Sequence, residues 1–498
     1  MLFRSNVQGT AAVLGIAAPA PRRHPAPPLQ STHVTRRFYG VAWAAGAALV
    51  GAAFGVHALT PPRPVEVAPH WTQQAAQAFA AQSIQQRTLP NGLRLMVVPK
   101  RGAPWCGLAT VVAGGASTDP PGQSGLAHLA EHLFFEEGGG LTPSRGDTDG
   151  EALGMRSNAF TLGDYTVLVE EFSPAVLEQA LAIHAQRLRT LTFTPAQLER
   201  EKTVVTDERR FRVEEPPLAA AQELLVARLW GAQHVFGRPV LGWPKDVAAL
   251  TSDQVRAWVD GYMRPERAAL ALVGPVDAVQ TLAALEKVLA PWTARGPAGA
   301  LPTATVAKGS ADLATLESPF GGALVGLAVA PLGSAEEAVD RVLARLLTLD
   351  PDVVLHHGLT TWPEDARLDV EHVLQVHHGE FLITLQAAPP DANKPGHVVG
   401  LYLAALAQHG PKPEVLDGVT AQLVADLHRS LGSHTGRAEA LAVDAALLGR
   451  PLATAERMRA LRAVDVAAVR QRAAALQRAP TASVVVEPPP DVLTPEEP

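Results

Sequence analysis

The chain changes rhythm at residue 174. From Ser83 to Glu170 the apolar residues come in short runs broken by turn residues. They read as strands at 83–89, 93–98, 105–113, 158–161 and 165–170, with a turn at Pro90-Asn91-Gly92 between the first two. Asn-Gly between apolar runs is a strong hairpin signal, because both residues tolerate the positive φ of a tight turn. Beyond Pro174 the chain turns helical, over 174–191, 195–212 and 218–229. Thr251-Ser-Asp-Gln254 is a capping box for a helix to Tyr262, and Ala268–Val273 returns to the sheet.

A stretch rich in Pro, Ala and Gly, from Leu289 to about Ala311, marks a linker. After it come strands over 322–330 and 372–387 and helices over 335–349, 396–409, 412–431 and 464–476. This order roughly repeats the first unit, as a duplicated domain would. The expected fold class is α+β, with two homologous domains at 83–290 and 315–488, each a mostly antiparallel sheet packed with helices. The connection between them is 291–314, and a Pro- and acid-rich tail follows at 489–498.

The N-terminal part reads differently. Residues 1–37 carry Arg4, Arg22, Arg23, Arg36 and Arg37 and no acid, and the first carboxylate of the chain is Glu66. Phe38–Leu59 then has no charged side chain other than His57, and at about 1.5 Å per residue it is long enough to span a bilayer as a helix. Arginines stay inside, so everything after this stretch is expected outside, in the periplasm or cell envelope. The Ala- and Gly-rich composition suits a cleavable signal as well as a membrane anchor, with Val56-His57-Ala58 as a small-residue cleavage site. Residues 60–82 begin Pro-rich and read as a spacer.

A chain of 498 residues with 47% hydrophobic and 18% charged residues has a globular composition, and disorder as a whole is excluded. The net charge of -7 gives no basic footprint for nucleic acid. Cys106 is the only cysteine, so no intrachain disulfide exists; on a strand it is expected to be a small buried hydrophobe.

The chemistry concentrates in Gly125-Leu-Ala-His128-Leu-Ala-Glu131-His132-Leu-Phe-Phe135. As a helix, this stretch places His128 and His132 at i and i+4 on one face, with Glu131 beside them. Two imidazoles so placed can bind one zinc, and an adjacent carboxylate can act as general base on a metal-bound water. The order His-x-x-Glu-His is the inverzincin signature. A third ligand must come from elsewhere. Glu201 and Glu208, seven residues apart in Leu198–Arg210, lie two turns apart on one helix face and can both point at the same centre.

With these residues the chain resembles the insulinase/pitrilysin family of zinc peptidases, which includes the mitochondrial processing peptidases. The resemblance covers about residues 84–290. It rests also on Leu89-Pro-Asn-Gly-Leu93, Gly114–Pro120, Asn158-Ala-Phe-Thr161 with Asp164 and Thr166, His234–Gly242 and Tyr262–Pro265. It implies a zinc endopeptidase with one zinc per chain. His128, His132 and Glu208 would be the ligands, Glu131 the base, Glu201 a supporting carboxylate, and Asn158 and Ala159 part of an edge strand that pairs with an extended peptide. The alternative is a non-catalytic scaffold or assembly subunit. Such relatives usually lose the ligands, and all of them stand here.

Active relatives also carry an Arg and a Tyr in the metal-free domain that grip the substrate. The corresponding stretch here, from Leu346 to Trp362 and onward, has no such motif, and Tyr402 is the only tyrosine of the second half. The resemblance therefore implies a heterodimer with a metal-less homologue that supplies them. The pairs His356-His357 and His377-His378 are expected to be ordinary surface histidines, because neighbours on a strand point to opposite faces. Gly138-Gly-Gly140 lacks the Lys-Ser/Thr of a phosphate loop, and the run to Gly146 is expected to be a loop beside the metal site.

Overall fold

The computed structural model describes residues 83–487 apart from 136–149, 190, 217, 304–306, 311, 318–320, 357–358, 360–361, 364–365 and 387–393, together with 74 and 77. The basic leader, the apolar stretch 38–59, the glycine-rich run 138–146, His357 and the tail lie outside the described residues. No helix among the described residues is long and apolar enough to cross a membrane.

The first half contains β1 (Gln85–Thr88), β2 (Arg94–Pro99), β3 (Cys106–Val112), α1 (Leu126–Phe135), β4 (Arg156–Thr161), β5 (Thr166–Phe172), α2 (Leu177–Arg189) and α3 (Pro195–Arg209). A π-turn (Arg210–Glu214) follows, then α4 (Ala219–Trp230), α5 (Pro244–Ala249), α6 (Ser252–Tyr262), β6 (Ala268–Gly274) and α7 (Ala278–Leu289). The hairpin forms where Asn-Gly predicts it: Gly92 has φ +90 and its N–H bonds Leu89 O at 2.9 Å. The sheet order is β1-β2-β6-β3-β5-β4, with β2 and β6 parallel and all other neighbours antiparallel. β4 is thus an edge strand.

Every residue of β3 and β6 is buried, because both faces of the sheet are covered. On one face Leu95, Val97, Leu108, Leu168, Leu270 and Leu272 pack beneath α1, α2, α6 and α7. Each such side chain contributes about 1.5–3 kcal/mol by leaving water. The other face carries smaller residues, among them Ala109, Ala269 and Ala271. It is covered by a helix from the far half of the chain, described next. Gly107 permits the close approach: a Cβ there would lie 2.3 Å from Thr435 N.

The second half contains β7 (Leu313–Glu317), β8 (Gly322–Val329), α8 (Glu337–Leu347), α9 (Pro351–Val354), β9 (Arg367–Leu374), β10 (Gly379–Gln386), α10 (Pro395–His409), α11 (Pro413–Ser430), α12 (His434–Leu448), α13 (Ala453–Ala463), α14 (Val466–Leu476) and β11 (Thr481–Glu487). Its sheet runs β7-β11-β8-β10-β9, again with one parallel pair, β7 with β11. Val325, Leu327, Phe381 and Ile383 face α8, α10 and α14, while Leu324, Leu382, Val484 and Val486 face α4 of the first half. α12 in turn lies on β3 and β6. Each half therefore lends a helix to the other's sheet. The run 372–387, expected as one strand, is instead the end of β9, a turn closed by Gln375 N to His378 O at 2.9 Å, and β10.

Candidate metal centre

The start of α1 is fixed by one buried acid. Asp119 Oδ2 accepts from the N–H groups of Gly125 (2.8 Å) and Leu126 (3.1 Å), and Oδ1 from Ala127 (2.9 Å), satisfying donors that a helix leaves unpaired in its first turn. Burial pushes the Asp119 carboxyl up to about 7 against those bonds and the Arg238 charge. Arg238 donates to Asp119 O (2.7 Å) and Pro120 O (3.0 Å). Ser124 Oγ donates to Asp246 Oδ2 (2.6 Å) and accepts from Trp243 N (2.9 Å). At Gly242 (φ +76) a Cβ would sit 2.3 Å from Ser124 O, so only glycine lets the two loops meet. Sequence reasoning named 234–242 only as a point of resemblance. Its physical role is to clamp the helix that carries the chemistry.

Leu126, Ala127, Leu129, Ala130, Leu133 and Phe134 face the core, leaving His128, Glu131 and His132 on the opposite side. α3 buries Leu198, Glu201, Val205 and Glu208 along one face, as the seven-residue spacing predicts. The two faces meet. His132 Nε2 is 3.2 Å and His128 Nε2 3.5 Å from Glu208 Oε2, while His132 Nδ1 is 3.1 Å from Glu201 Oε2. The two imidazole rings stand 4.7 Å apart, edge to face. Ligand atoms of His128, His132 and Glu208 all lie within 4.8 Å of one another. Thr161 Oγ1, from β4, donates to Glu131 Oε2 at 2.6 Å.

The charges are coupled. Burial lowers His128 to about 3, helped by the neighbouring His132. Burial would also lower His132, but its hydrogen bonds to Glu201 and Glu208 raise it to about 10. Glu208 falls to about 2 despite burial, through the His132 hydrogen bond and the His128 and Arg212 charges. Glu131 is shifted up by desolvation. Three carboxylates, those of Glu131, Glu201 and Glu208, thus gather around two imidazoles, and the cluster calls for a cation. A divalent ion fits that need, and two imidazoles with one carboxylate are a donor set zinc accepts. The Glu201 contact to His132 Nδ1 is of the kind that orients a histidine whose other nitrogen holds a metal. Among the described residues His128 Nδ1 is buried without a hydrogen-bond partner.

The other candidates fall as follows. Asn158 and Ala159 lie on edge strand β4, paired on its inner side with Val169 and Leu168, and Asn158 Oδ1 accepts from Ala159 N at 2.9 Å. Asp164 ties the halves together: its Oδ2 accepts from Val376 N (2.7 Å) and His377 N (3.2 Å). Cys106 is buried, as expected, and desolvation raises its thiol to about 11. His356 is exposed. His378 departs from the expectation of a surface residue: it lies in a turn rather than a strand, only 6% exposed, stacked on Phe236 at 4.0 Å and edge-on to Trp230 at 5.0 Å. Pattern reasoning fails there because the burying surface comes from α4 and the loop after it, far away in sequence. A second His/carboxylate group also escaped it. Thr110 Oγ1 is 2.7 Å from His184 Nε2, His184 Nδ1 is 3.1 Å from Glu170 Oε1, and Arg187 Nη1 is 2.8 Å from that oxygen. That order is hydroxyl, base, acid, but none of the four is more than 2% exposed, so it braces the sheet against α2 and meets no substrate.

Two family models match the chain: insulinase (peptidase family M16) over residues 95–242, and the peptidase M16 inactive domain over 249–423. The chain belongs to the insulinase family of peptidases, M16. It is 25% identical over 218 residues to the uncharacterized zinc protease YmxG of Bacillus subtilis, covering 44% of this chain and 53% of that one. It spans about half the length of the curated relatives it matches. Among solved structures, a protease from Helicobacter pylori superposes with a TM-score of 0.69 at 20% identity, over 82% of this chain and all of that one. The first half of the periplasmic protease PqqL from Escherichia coli gives 0.62 at 19%, over 81% and 91%. At such identities these structures show the fold.

Proposed function

We propose that this chain is a zinc endopeptidase that hydrolyses peptides or unfolded polypeptides. The reading is carried by the convergence of His128, His132 and Glu208, from two helices, within 4.8 Å of one another and with Glu131 one residue from His132. When bound, zinc supplies the Lewis acidity that lowers the pKa of a water and polarises the scissile carbonyl. His128, His132 and Glu208 would hold the ion, and Glu201 would fix the ring of His132 through Nδ1. Thr161 holds Oε2 of Glu131, so the proton of the water is received at Oε1 and returned from there to the leaving amine. The outer edge of β4, around Asn158 and Ala159, pairs with the extended substrate, the Ala159 N–H exchanging Asn158 Oδ1 for a substrate carbonyl, and such backbone pairing tolerates many sequences.

The same reading sets the chain outside the cytoplasmic membrane. The acid-free leader and residues 38–59 support this, and so does the likeness to a protease described as periplasmic. It also makes the chain the zinc-bearing partner of a metal-less homologue, because the second half lacks the gripping Arg and Tyr. The test is metal analysis together with cleavage of an unstructured peptide, for the chain alone and co-purified with such a homologue. About one zinc per chain and a large gain on pairing are expected. A chain that binds no zinc would leave the scaffold reading standing, and equal specific activity with and without the homologue would remove the partner.

A further inference from the structure

Glu208 uses its two carboxylate oxygens differently. Oε2 faces both histidines, at 3.2 and 3.5 Å, while Oε1 forms an ion pair with Arg212 Nη2 at 2.9 Å. Arg212 sits in the π-turn that begins two residues after Glu208 and is closed by Glu215 N to Arg210 O at 2.9 Å. Such turns are uncommon and recur at functional sites. The neighbouring arginines are engaged elsewhere. Arg209 pairs with Glu223 at 2.6 Å, and Arg210 lies 3.7 Å from Asp207 and 3.6 Å from Glu215. Glu208 is 8% exposed and Arg212 60%, so the guanidinium reaches the buried carboxylate from the solvent side.

We propose that Arg212 is a positioning residue of the metal centre: it pins Oε1 of Glu208 so that Oε2 alone is presented between the two histidines. The inference rests on the zinc reading above. Two effects of the guanidinium oppose each other. As a nearby positive charge it disfavours a cation, but the guanidinium is 60% exposed, so solvent and salt screen that repulsion. As the ion-pair partner that fixes one oxygen of a ligand it belongs to the outer contacts whose loss typically weakens metal binding about 10- to 100-fold. Positioning therefore outweighs repulsion, and the two accounts predict opposite signs.

The experiment compares zinc affinity, by competition with a chromophoric chelator, for the parent, Arg212→Gln, Arg212→Lys and the control Arg210→Gln. The visible absorption of the cobalt(II)-substituted proteins is recorded in parallel. Arg212→Gln is expected to bind zinc about 10-fold more weakly, with an altered cobalt spectrum. Arg212→Lys should recover part of the loss, and Arg210→Gln should match the parent. Zinc binding by Arg212→Gln as tight as the parent's, or tighter, overturns the proposal. A parent that binds no zinc removes the zinc reading itself, so the two failures are distinct.

Discussion

The two halves place a helix at the same point in their wiring, between an inner strand (β3, β8) and the outer strand of the same sheet (β4, β9), and give it opposite chemistry. In α1 the residues at i, i+3 and i+4 are His128, Glu131 and His132; in α8 they are Glu337, Asp340 and Arg341. Around α8 the acids are matched by bases. Glu337 bonds Arg341 at 2.9 Å and lies 3.2 Å from Arg457; Asp340 takes both arms of Arg472, at 2.6 and 2.7 Å; Asp444 takes Arg457. Around α1 the carboxylates of Glu131, Glu201 and Glu208 meet two imidazoles, and the arginines at the rim, Arg200 and Arg212, are more than half exposed. One architecture thus supports a self-neutralised brace in one half and a surplus of negative charge in the other. The difference lies in a handful of side chains, while the backbone order is shared.

The sharpest way to break the comparison is to remove one acid from each helix. Glu131→Gln is expected to keep zinc and lose turnover by about 10²- to 10⁴-fold, since it removes the base and no ligand. Asp340→Asn should leave zinc affinity alone and cost about 3 kcal/mol of stability in urea, because Arg472 loses its buried partner. Peptide cleavage by Glu131→Gln at the parental rate would falsify the assignment of roles. Next in size is the pair Glu208→Gln and Glu337→Gln. The first removes the only anionic ligand and should weaken zinc about 100-fold or more. The second should leave zinc untouched while lowering the unfolding midpoint, as Arg341 and Arg457 lose the negative charge they share. If both variants shifted zinc affinity equally, the division of labour between the halves would be lost.

The sequence discloses this site well and its supports poorly. His128, Glu131 and His132 are legible because one helix sets their spacing, and the 201/208 offset is legible for the same reason. Asp119, Arg238 and Ser124 are not: Ser124 bonds Asp246 and Arg238 bonds Asp119 O more than a hundred residues away, and nothing periodic marks Asp119, although its carboxylate caps N–H groups only six to eight residues on. In the second half β7, β11, α12 and α13 escape a reading by pattern. α12 is rich in Ala and is buried against the other half's sheet, so its own contrast between apolar and polar faces is weak. The π-turn is visible only in hindsight: Glu208 and Val213, both buried, are five apart, a spacing that an α-helix would send to different sides.

The smallest effect concerns two buried acids that share a direction of shift and differ in their surroundings. Glu380, 4% exposed on β10, accepts from Trp230 Nε1; burial raises it from 4.5 to about 7. Asp119 is raised by burial to about 7 as well, but accepts three backbone N–H bonds. A carboxyl whose folded pKa lies above its unfolded value holds its proton in the folded state first, so stability falls as pH rises from about 4.5 to about 7 and is level beyond. Glu380→Gln keeps an oxygen for Trp230 and removes the ionisation. It should be neutral below about pH 4.5 and stabilising, by on the order of 2 kcal/mol, above pH 7. Asp119→Asn removes an ionisation too, but with an opposing cost: an amide in that place turns its NH₂ toward a backbone N–H whichever way it is set, which leaves a buried donor unpaired at about 1–3 kcal/mol and offsets the gain. Urea midpoints of both variants between pH 4 and 8 separate the cases: a gain for Glu380→Gln that did not grow with pH would remove the ionisation argument, and a stabilised Asp119→Asn would show that the start of α1 is held by something other than its cap.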